Sequence, residues 1–505
     1  MKDPQDSPLL SFPSWSSTRV LNLGRTALLV LASAYLVQLA LSPKAAYLVS
    51  NVRNLHNPIQ YHGADISTDF FEGWYFKMVK QGKTKGDPIQ SMAIIPGIHR
   101  PSPDNTDGEH AFVLVVGIPG PEPAAYFRFP VSEFIDLRRN TQGANNNGNN
   151  NKGAFKVQIG NSFFSHDELI LNLPANRFER IPAHELEEFY TEASRQYEAQ
   201  LWKSNSTTST MHNQDFFRRL FPSADTLAEA ETQSPIAVQG HFQFPASTQT
   251  PLPTSRWTPS IMGITAYLPF LECNHGVASL HHTISKGRLV ALRSENEILG
   301  EAKFDGGVGY IEKDWGVNFP STWVWAQANM FDTAPGSSLM ISVASIPILG
   351  PDFSDWITRN IPILSPFTNV PGRLVIFYHA ATKTLYNFSS YVFLARAKSL
   401  RTSFDIERST QTFSFMATTK DPNNSKETIA LQVNVTREIG TGVPLRAPSR
   451  VKDRMFSGVE EAVVATTDVR LWRVESGEVL VEDQSLGSGL EIVGDIAWLE
   501  AHINH

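Results

Sequence analysis

The sequence predicts an all-β protein built as two antiparallel lobes, with a helical insertion and an apolar span near its N-terminus. Three observations predict it. Most apolar segments are short, β-branched or aromatic, and separated by Pro, Gly, Asn or Asp, as in SMAIIPGI, AFVLVVGI, SLMISVAS, RLVIFYHA, YVFLARA and FSFMAT. In TIALQVNVT, Ile429, Leu431, Val433 and Val435 alternate with polar partners, the pattern of a half-buried strand. Helical spacing and charge interrupt this pattern at residues 183–231. Of the 505 residues, 41% are hydrophobic, enough for a substantial core.

The N-terminal part, residues 1–50, contains TALLVLASAYLVQLALS at 26–42, uncharged and nearly all apolar. As a helix it spans about 25 Å at ~1.5 Å per residue, and Leu21, Leu23 and a snorkelling Arg25 extend it toward a ~30 Å hydrocarbon core. We read a single-pass membrane anchor. A cleaved leader is the alternative, disfavoured by its length and by Pro43 directly after Ala40, Leu41 and Ser42. Basic residues flank the span in similar number, so its orientation is open, as is the choice between an endomembrane and a plastid-type compartment. The sequons at Asn205, Asn387, Asn423 and Asn434 do not decide it, because a chain this rich in Asn, Ser and Thr shows several by chance.

Residues 49–62 read as a linker into a first lobe spanning 51–253. Two insertions interrupt that lobe. NTQGANNNGNNNKG (140–153) is polar and of low complexity, a disordered loop between strands. AHELEEFYTEASRQYEAQLW and DFFRRLFPSADTLAEAE, within 183–231, read as two helices around a Ser/Thr turn, either a lid or a decoration. The Pro-, Ser- and Thr-rich end of SPIAVQGHFQFPASTQTPLPTSRW places a boundary near Pro253, with the second lobe at 254–505.

A net charge of -7 with no run of Lys and Arg argues against a nucleic-acid partner. The single cysteine, Cys273, excludes an intrachain disulfide. Three dense stretches carry the chemistry. In FFEGWYFK (70–77), strand alternation puts Glu72 on one face with Phe70, Trp74 and Phe76, and Tyr75 on the other with Phe71 and Lys77. A carboxylate among rings is costly unless paired, hydrogen-bonded or protonated, so Glu72 is either a structural acid held by backbone N–H groups or an arginine, or an acid lining a cavity. MGITAYLPFLECNHGVASLHHTI (262–284) carries Glu272, His275, His281 and His282. GGVGYIEKDWGVNFPSTWVWAQANMF (306–331) carries Lys313 and Trp315 and puts Tyr310, Glu312 and Asp314 on one strand face, and Trp323, Trp325, Gln327 and Asn329 on one face of the next strand.

No metal site is expected: His281 and His282 are adjacent and point opposite ways in a strand, and there is no HExxH pattern or paired cysteine. DGGVGY is not a dinucleotide loop, and no GxSxG elbow occurs. Acids, histidines and rings remain, a set suited to proton transfer or cation stabilisation on a largely apolar molecule.

FFEGWYFK, SMAIIPGIH, YIEKDWGVNFPSTWVWAQANMF and GVPLRAPS (442–449) resemble, in order, the signature stretches of the tocopherol cyclase family, from about residue 56 to 472. That family is distantly similar to carotenoid 1,2-hydratases and two-lobed lipocalin-like proteins. The resemblance implies two lipocalin-like β lobes, barrel or sandwich, around an apolar pocket. It implies closure of a prenylated hydroquinone to a chromanol, a step of vitamin E biosynthesis that needs no cofactor. Carried over, it makes Glu312 the first choice of acid, Glu72 the second and Asp314 the third, with the base among His275, His281 and His282. Substrate contacts are expected from Trp74, Tyr75, Tyr310, Trp315, Trp323, Trp325, Gln327, Asn329, His99 and Glu272. The chain departs from the plant cyclases at Asp314, where they read EKNWG. Competing readings are a hydratase or isomerase of another isoprenoid, and a non-catalytic lipid carrier.

Overall fold

A computed structural model describes Ser33 and residues 45–504, except 83–86, 106–107, 121, 139–154, 204–220, 269–270, 295, 348–350, 362–367 and 450–451. The expected anchor at 26–42, Ser33 apart, and the Asn-rich loop at 140–153 lie outside the described residues. Among the described residues no helix is long and apolar enough to cross a membrane.

Among the described residues twenty-four strands form three sheets in which every pairing is antiparallel. The first has seven strands, in the order Cys273–Thr283, Val308–Gly316, Phe70–Lys80, Gln90–Arg100, His110–Val116, Ala124–Phe129, Phe178–Glu179. The second, also of seven, runs from Glu297–Lys303 through Lys286–Ser294, Ala237–Gln243 and Glu168–Leu173 to Phe134–Asp136. These two pack face to face over one core. Trp74, Phe76, Met78, Ile94 and Val113 enter it from the first sheet, and Phe164, Leu171, Val238, Phe242 and Leu289 from the second.

The third sheet has ten strands and curls over its own core, where Val324, Ile341, Phe377, Phe415 and Leu431 meet Ile496, Leu499 and Ile503 of the helix Ile496–Ile503. Its strands obey the period-2 rule closely: Thr410–Lys420 alternates half-buried and buried residues along its whole length. All three sheets are open, so the lobes are sandwich-like and not closed barrels. Membership of the sheets changes between Gly316 and Trp323, while Pro253 lies in the connection ahead of the Cys273–Thr283 strand.

The stretch expected as a linker is part of the first lobe. Helix Ala45–Arg53 buries Tyr47, whose hydroxyl donates to the Leu271 carbonyl at 2.9 Å, and Asn51 accepts from the Trp315 indole N–H at 2.9 Å. Its polar look came from side chains that point inward to fixed partners. The two expected helices form at Ala183–Lys203 and Ala224–Glu231. The longer one is strapped to the second lobe: Tyr197 donates to Glu460 at 2.7 Å beside Arg437, and Glu185 pairs with Arg454 at 2.9 Å. None of its residues lines the cavity described next.

The central strands of the first sheet, Phe70–Lys80, Gln90–Arg100 and His110–Val116, have two buried faces. Along Phe70–Lys80, Trp74, Phe76 and Met78 face the second sheet, while Tyr75 and Lys77 face the third. Tyr75, Phe112, Leu114 and Val277 there oppose Trp323, Trp325, Met340, Leu445 and Val459, and the gap between the lobes holds the cavity.

Candidate active site

The cavity measures about 430 Å³ and is mostly apolar, walled by Phe71, Ile95, Phe112, Met262, Phe319 and Leu445 among others. This is within the ~300–1,000 Å³ range of small-molecule sites. Polar groups enter it from both lobes. Strand Val308–Gly316 presents Glu312 and Asp314, and the neighbouring Cys273–Thr283 presents His275, because Asp314 and His275 are direct cross-strand partners.

His275 lies between the two carboxylates. Its Nδ1 is 2.7 Å from Asp314 Oδ1, and its Nε2 is 3.2 Å from Glu312 Oε2, without the alignment of a full hydrogen bond. Tyr310, two residues back on the same strand face, donates its hydroxyl to Glu312 Oε2 at 2.5 Å. Burial alone would depress the imidazole; Asp314, then Glu312, outweigh it and raise its pKa to about 10. The three groups put ligand atoms within 4.8 Å of one another, close enough to hold a cation. One nitrogen toward each carboxylate is, however, the arrangement of an imidazolium bridge, and a ligand histidine needs a free lone pair.

A pH dependence follows. The folded pKa of His275 stands above the ordinary value of 6.5, so its stabilisation is complete below about 6.5 and is lost as pH rises through about 10. The stability difference between wild type and His275→Gln, measured by urea unfolding, is therefore expected to shrink across that window by up to about 1.4 kcal/mol per pH unit. A difference constant with pH would disprove the bridged imidazolium.

Opposite this cluster, strand Trp323–Ala328 sends Trp323 and Trp325 into the cavity. Trp325 packs against Gly489, where a Cβ would come within 2.5 Å of its ring, and meets Tyr75 edge-on at 5.2 Å. Glu491 lines the same wall and accepts from the Trp323 indole N–H at 2.8 Å, and the buried Glu461 accepts from the Tyr75 hydroxyl.

Of the residues expected at the site, Glu312, Asp314, His275, Tyr75, Trp323 and Trp325 line the cavity, with Tyr310 buried directly behind. Glu72 does not. It faces the core between the first two sheets, where it accepts from the backbone N–H groups of His62 and Gly63 at 2.9 and 3.0 Å and pairs with Lys313. Burial favours its neutral form, but the Lys313 ammonium and His62 outweigh this and hold its carboxyl below the ordinary range. Trp74 and Trp315 frame that pair, with the Lys313 ammonium 5.1 and 4.6 Å from their ring centroids. The same odd–even alternation that sends Glu312 to the cavity sends Lys313 and Trp315 away from it.

His99 tilts against the His110 ring at 5.7 Å between centroids, and Asn329 donates to the Gly309 carbonyl at 2.8 Å. Gln327 is buried, while His281, Glu272, His99 and Asn329 are likewise absent from the cavity lining. His282, on the other side of its strand, meets Ser279 at 3.0 Å and the Phe244 ring, with no carboxylate beside it. The expectation missed Glu461 and Glu491. Their signal was present: Glu491 is a single acid among apolar neighbours in GLEIV, and Glu461 is the second acid of VEEAVV, followed by an apolar run, which resembles the anomaly visible in FFEGWYFK.

Residues 182–351 match the family model described as tocopherol cyclase-like. That segment is tocopherol cyclase-like. The tocopherol cyclase-like segment holds His275, Glu312, Asp314, Trp323 and Trp325, whereas Tyr75, Glu461 and Glu491 fall outside it. Among solved structures, CghA with Sch210972 aligns over 84% of this chain and 88% of that one at 8% identity and a TM-score of 0.38. A putative AttH protein of Nitrosomonas europaea covers 84% and 92% at 9% identity, TM-score 0.33. Kievitone hydratase of Nectria haematococca covers 86% and 94% at 9% identity, TM-score 0.32. At these scores the likenesses bear on neither fold nor reaction. No curated protein matches the chain by sequence.

Proposed function

We propose that the protein is an enzyme of isoprenoid lipids that closes a prenylated hydroquinone to a chromanol. The observation that carries this reading is the Glu312–His275–Asp314 cluster on the wall of an apolar cavity, inside the tocopherol cyclase-like segment. In the reaction a proton adds to the trisubstituted alkene nearest the ring, a tertiary carbocation forms, and the phenol oxygen captures it while losing its own proton. Substrate and product are isomers, so the step has no redox demand.

The cavity residues fit these needs. Apolar walls exclude water from the cation, which otherwise would be hydrated. The faces of Trp323 and Trp325 stabilise a cation by about 0.5–2 kcal/mol each when it lies within ~6 Å of a ring centroid. Glu312, held by Tyr310 and beside the His275 imidazolium, is placed to hold the phenol and take its proton. The apolar stretch at 26–42, shortly before helix Ala45–Arg53, completes the reading as a single-span anchor that keeps the protein beside the bilayer holding its substrate.

The test is product analysis by mass spectrometry after incubating the full chain, in detergent micelles, with prenylated hydroquinones. An isomeric chromanol is expected. A product heavier by one water would make the enzyme a hydratase, and unchanged but tightly bound quinol would make it a carrier.

A further inference from the structure

The cavity holds a second set of acids that the cyclase reading leaves unused. Glu461 on strand Arg454–Arg473 and Glu491 on strand Val479–Val493 are direct cross-strand partners, so their side chains leave the sheet on one face, toward the first lobe. Register shifts that begin just after Ala462 bend the longer strand at this point. Glu491 is in front, lining the cavity opposite Glu312. Glu461 lies behind it, fully buried, with Oε1 receiving the Tyr75 hydroxyl and Oε2 without a hydrogen-bond partner among the described residues.

The surrounding charges do not balance these acids. From the first sheet, Glu312 and Asp314 face them, with His275 already between those two. Lys77 is deeper on the Tyr75 face, with its ammonium on Ser91 and on the carbonyls of Val463 and Gly487 at 2.8 and 2.7 Å. The other cations at the cavity are engaged elsewhere: Arg446 pairs with Glu179, and Arg373 donates to the carbonyls of Phe388 and Ala395. On the second lobe's own strands, Trp323 gives Glu491 an indole N–H, and Trp325 is its cross-strand neighbour. Among the described residues neither Glu461 nor Glu491 has an ion pair. Four acids share this volume with Lys77 and His275, while Arg373 and Arg446 on the cavity wall turn to other partners, and two neighbouring carboxyls are costly to ionise together there.

We propose that Glu491 is the proton donor to the substrate alkene, with Glu461, its cross-strand neighbour, as the positioning residue whose negative charge keeps the proton on Glu491. The proposal rests on the cyclase reading and reassigns the acid role that sequence alone gave to Glu312. Burial first, then Glu461, pushes the Glu491 carboxyl well above the carboxylate range, and burial, opposed by Tyr75 and Lys77, lifts Glu461 to about 7.

The two facing walls then divide the chemistry. The O–H bond of Glu491 breaks as a C–H bond forms on the alkene, and the electron pair of that double bond is consumed. The phenol oxygen bonds to the tertiary cation, and its proton passes to Glu312. Each turnover leaves Glu491 one proton short and Glu312 one proton over, a difference restored through solvent when product leaves. No oxidant or reductant enters.

The test uses the full chain, with Glu491→Gln, Glu461→Gln and, as the conservative variant, Glu491→Asp; Glu482→Gln, an exposed acid on the same strand, is the control. The substrate-free infrared spectrum, recorded at alkaline pH above the value of about 7 at which Glu461 titrates, reports the carbonyl stretch of a protonated Glu491 carboxyl. Quinol binding is read from quenching of tryptophan fluorescence, and turnover from the product. The band is expected in wild type and in Glu482→Gln, and absent in Glu491→Gln. Turnover of Glu491→Gln is expected to fall by about 10²–10⁴-fold with binding nearly unchanged, partly restored in Glu491→Asp. In Glu461→Gln the pH optimum is expected to move, since Glu491 loses its partner. Turnover retained by Glu491→Gln, or a band that survives the substitution, overturns the proposal. If wild type converts no quinol while the band still vanishes in Glu491→Gln, the cyclase reading falls, and the neutral Glu491 stands as an acid for another substrate.

Discussion

Glu312→Gln is expected to lower kcat on a prenylated hydroquinone by about 10²–10⁴-fold while leaving substrate affinity nearly unchanged. The amide keeps the volume of the carboxyl and can still accept the Tyr310 hydroxyl, so the cavity wall is preserved. What it loses is the capacity to take a proton and the charge that faces both the His275 imidazolium and the developing carbocation. The interaction with a cation exists only along the reaction path, so its loss belongs in kcat and not in binding. Steady-state kinetics alongside equilibrium binding of the quinol checks this. A rise in KM with unchanged kcat would show that Glu312 only orients the phenol.

Lys313→Met, one residue further along the same strand, is expected to do the reverse. It should cost about 3–5 kcal/mol of stability and leave kcat per folded molecule nearly intact, because it strands Glu72 as a buried charge without its ammonium. The pair is sealed: both side chains have 0% exposure, and His62 stacks on Trp315 at 4.4 Å to close the site. Backbone N–H groups of His62 and Gly63 still reach Glu72, so the loss stays below that of a fully unpaired charge. The double variant Glu72→Gln with Lys313→Met should recover much of the loss, since no buried ion remains. The Glu72 contribution also has a pH signature. Its folded pKa is depressed, so the stability it supplies is present above the ordinary value of 4.5 and is lost as pH falls below it. Urea unfolding of the single and double variants at neutral and acidic pH checks both statements. Lys313→Met as stable as wild type would mean that water replaces the ammonium in that core.

The opposite outcomes expected for adjacent residues show what could be read in advance. Alternation in YIEKDWG fixes that Glu312 and Asp314 share one face and that Lys313 and Trp315 share the other, because a strand has no other way to place successive side chains. The all-β class, the two helices at 183–231 and the crowding of acids and rings around 262–331 were legible for the same local reason. Periodicity also put Glu72 with Phe70 and Trp74, but could not say which buried face was the cavity, since both faces of that strand are apolar.

Tertiary structure decided the rest. Hydrogen-bond partners, which composition does not encode, place the Cys273–Thr283 and Val308–Gly316 strands in the first lobe, well past the Pro-rich stretch near Pro253. That pairing brings His275 between Asp314 and Glu312, about 40 residues apart in the chain. The cavity lies between the lobes, so half its wall comes from strands far along the sequence. Glu461 and Glu491 enter the site only because the third sheet packs its Trp323 and Trp325 face against Tyr75. The sequence by itself determined which side chains share a strand face, through backbone geometry. Only long-range packing determined which faces meet, and with them the acids that one substrate can touch at once.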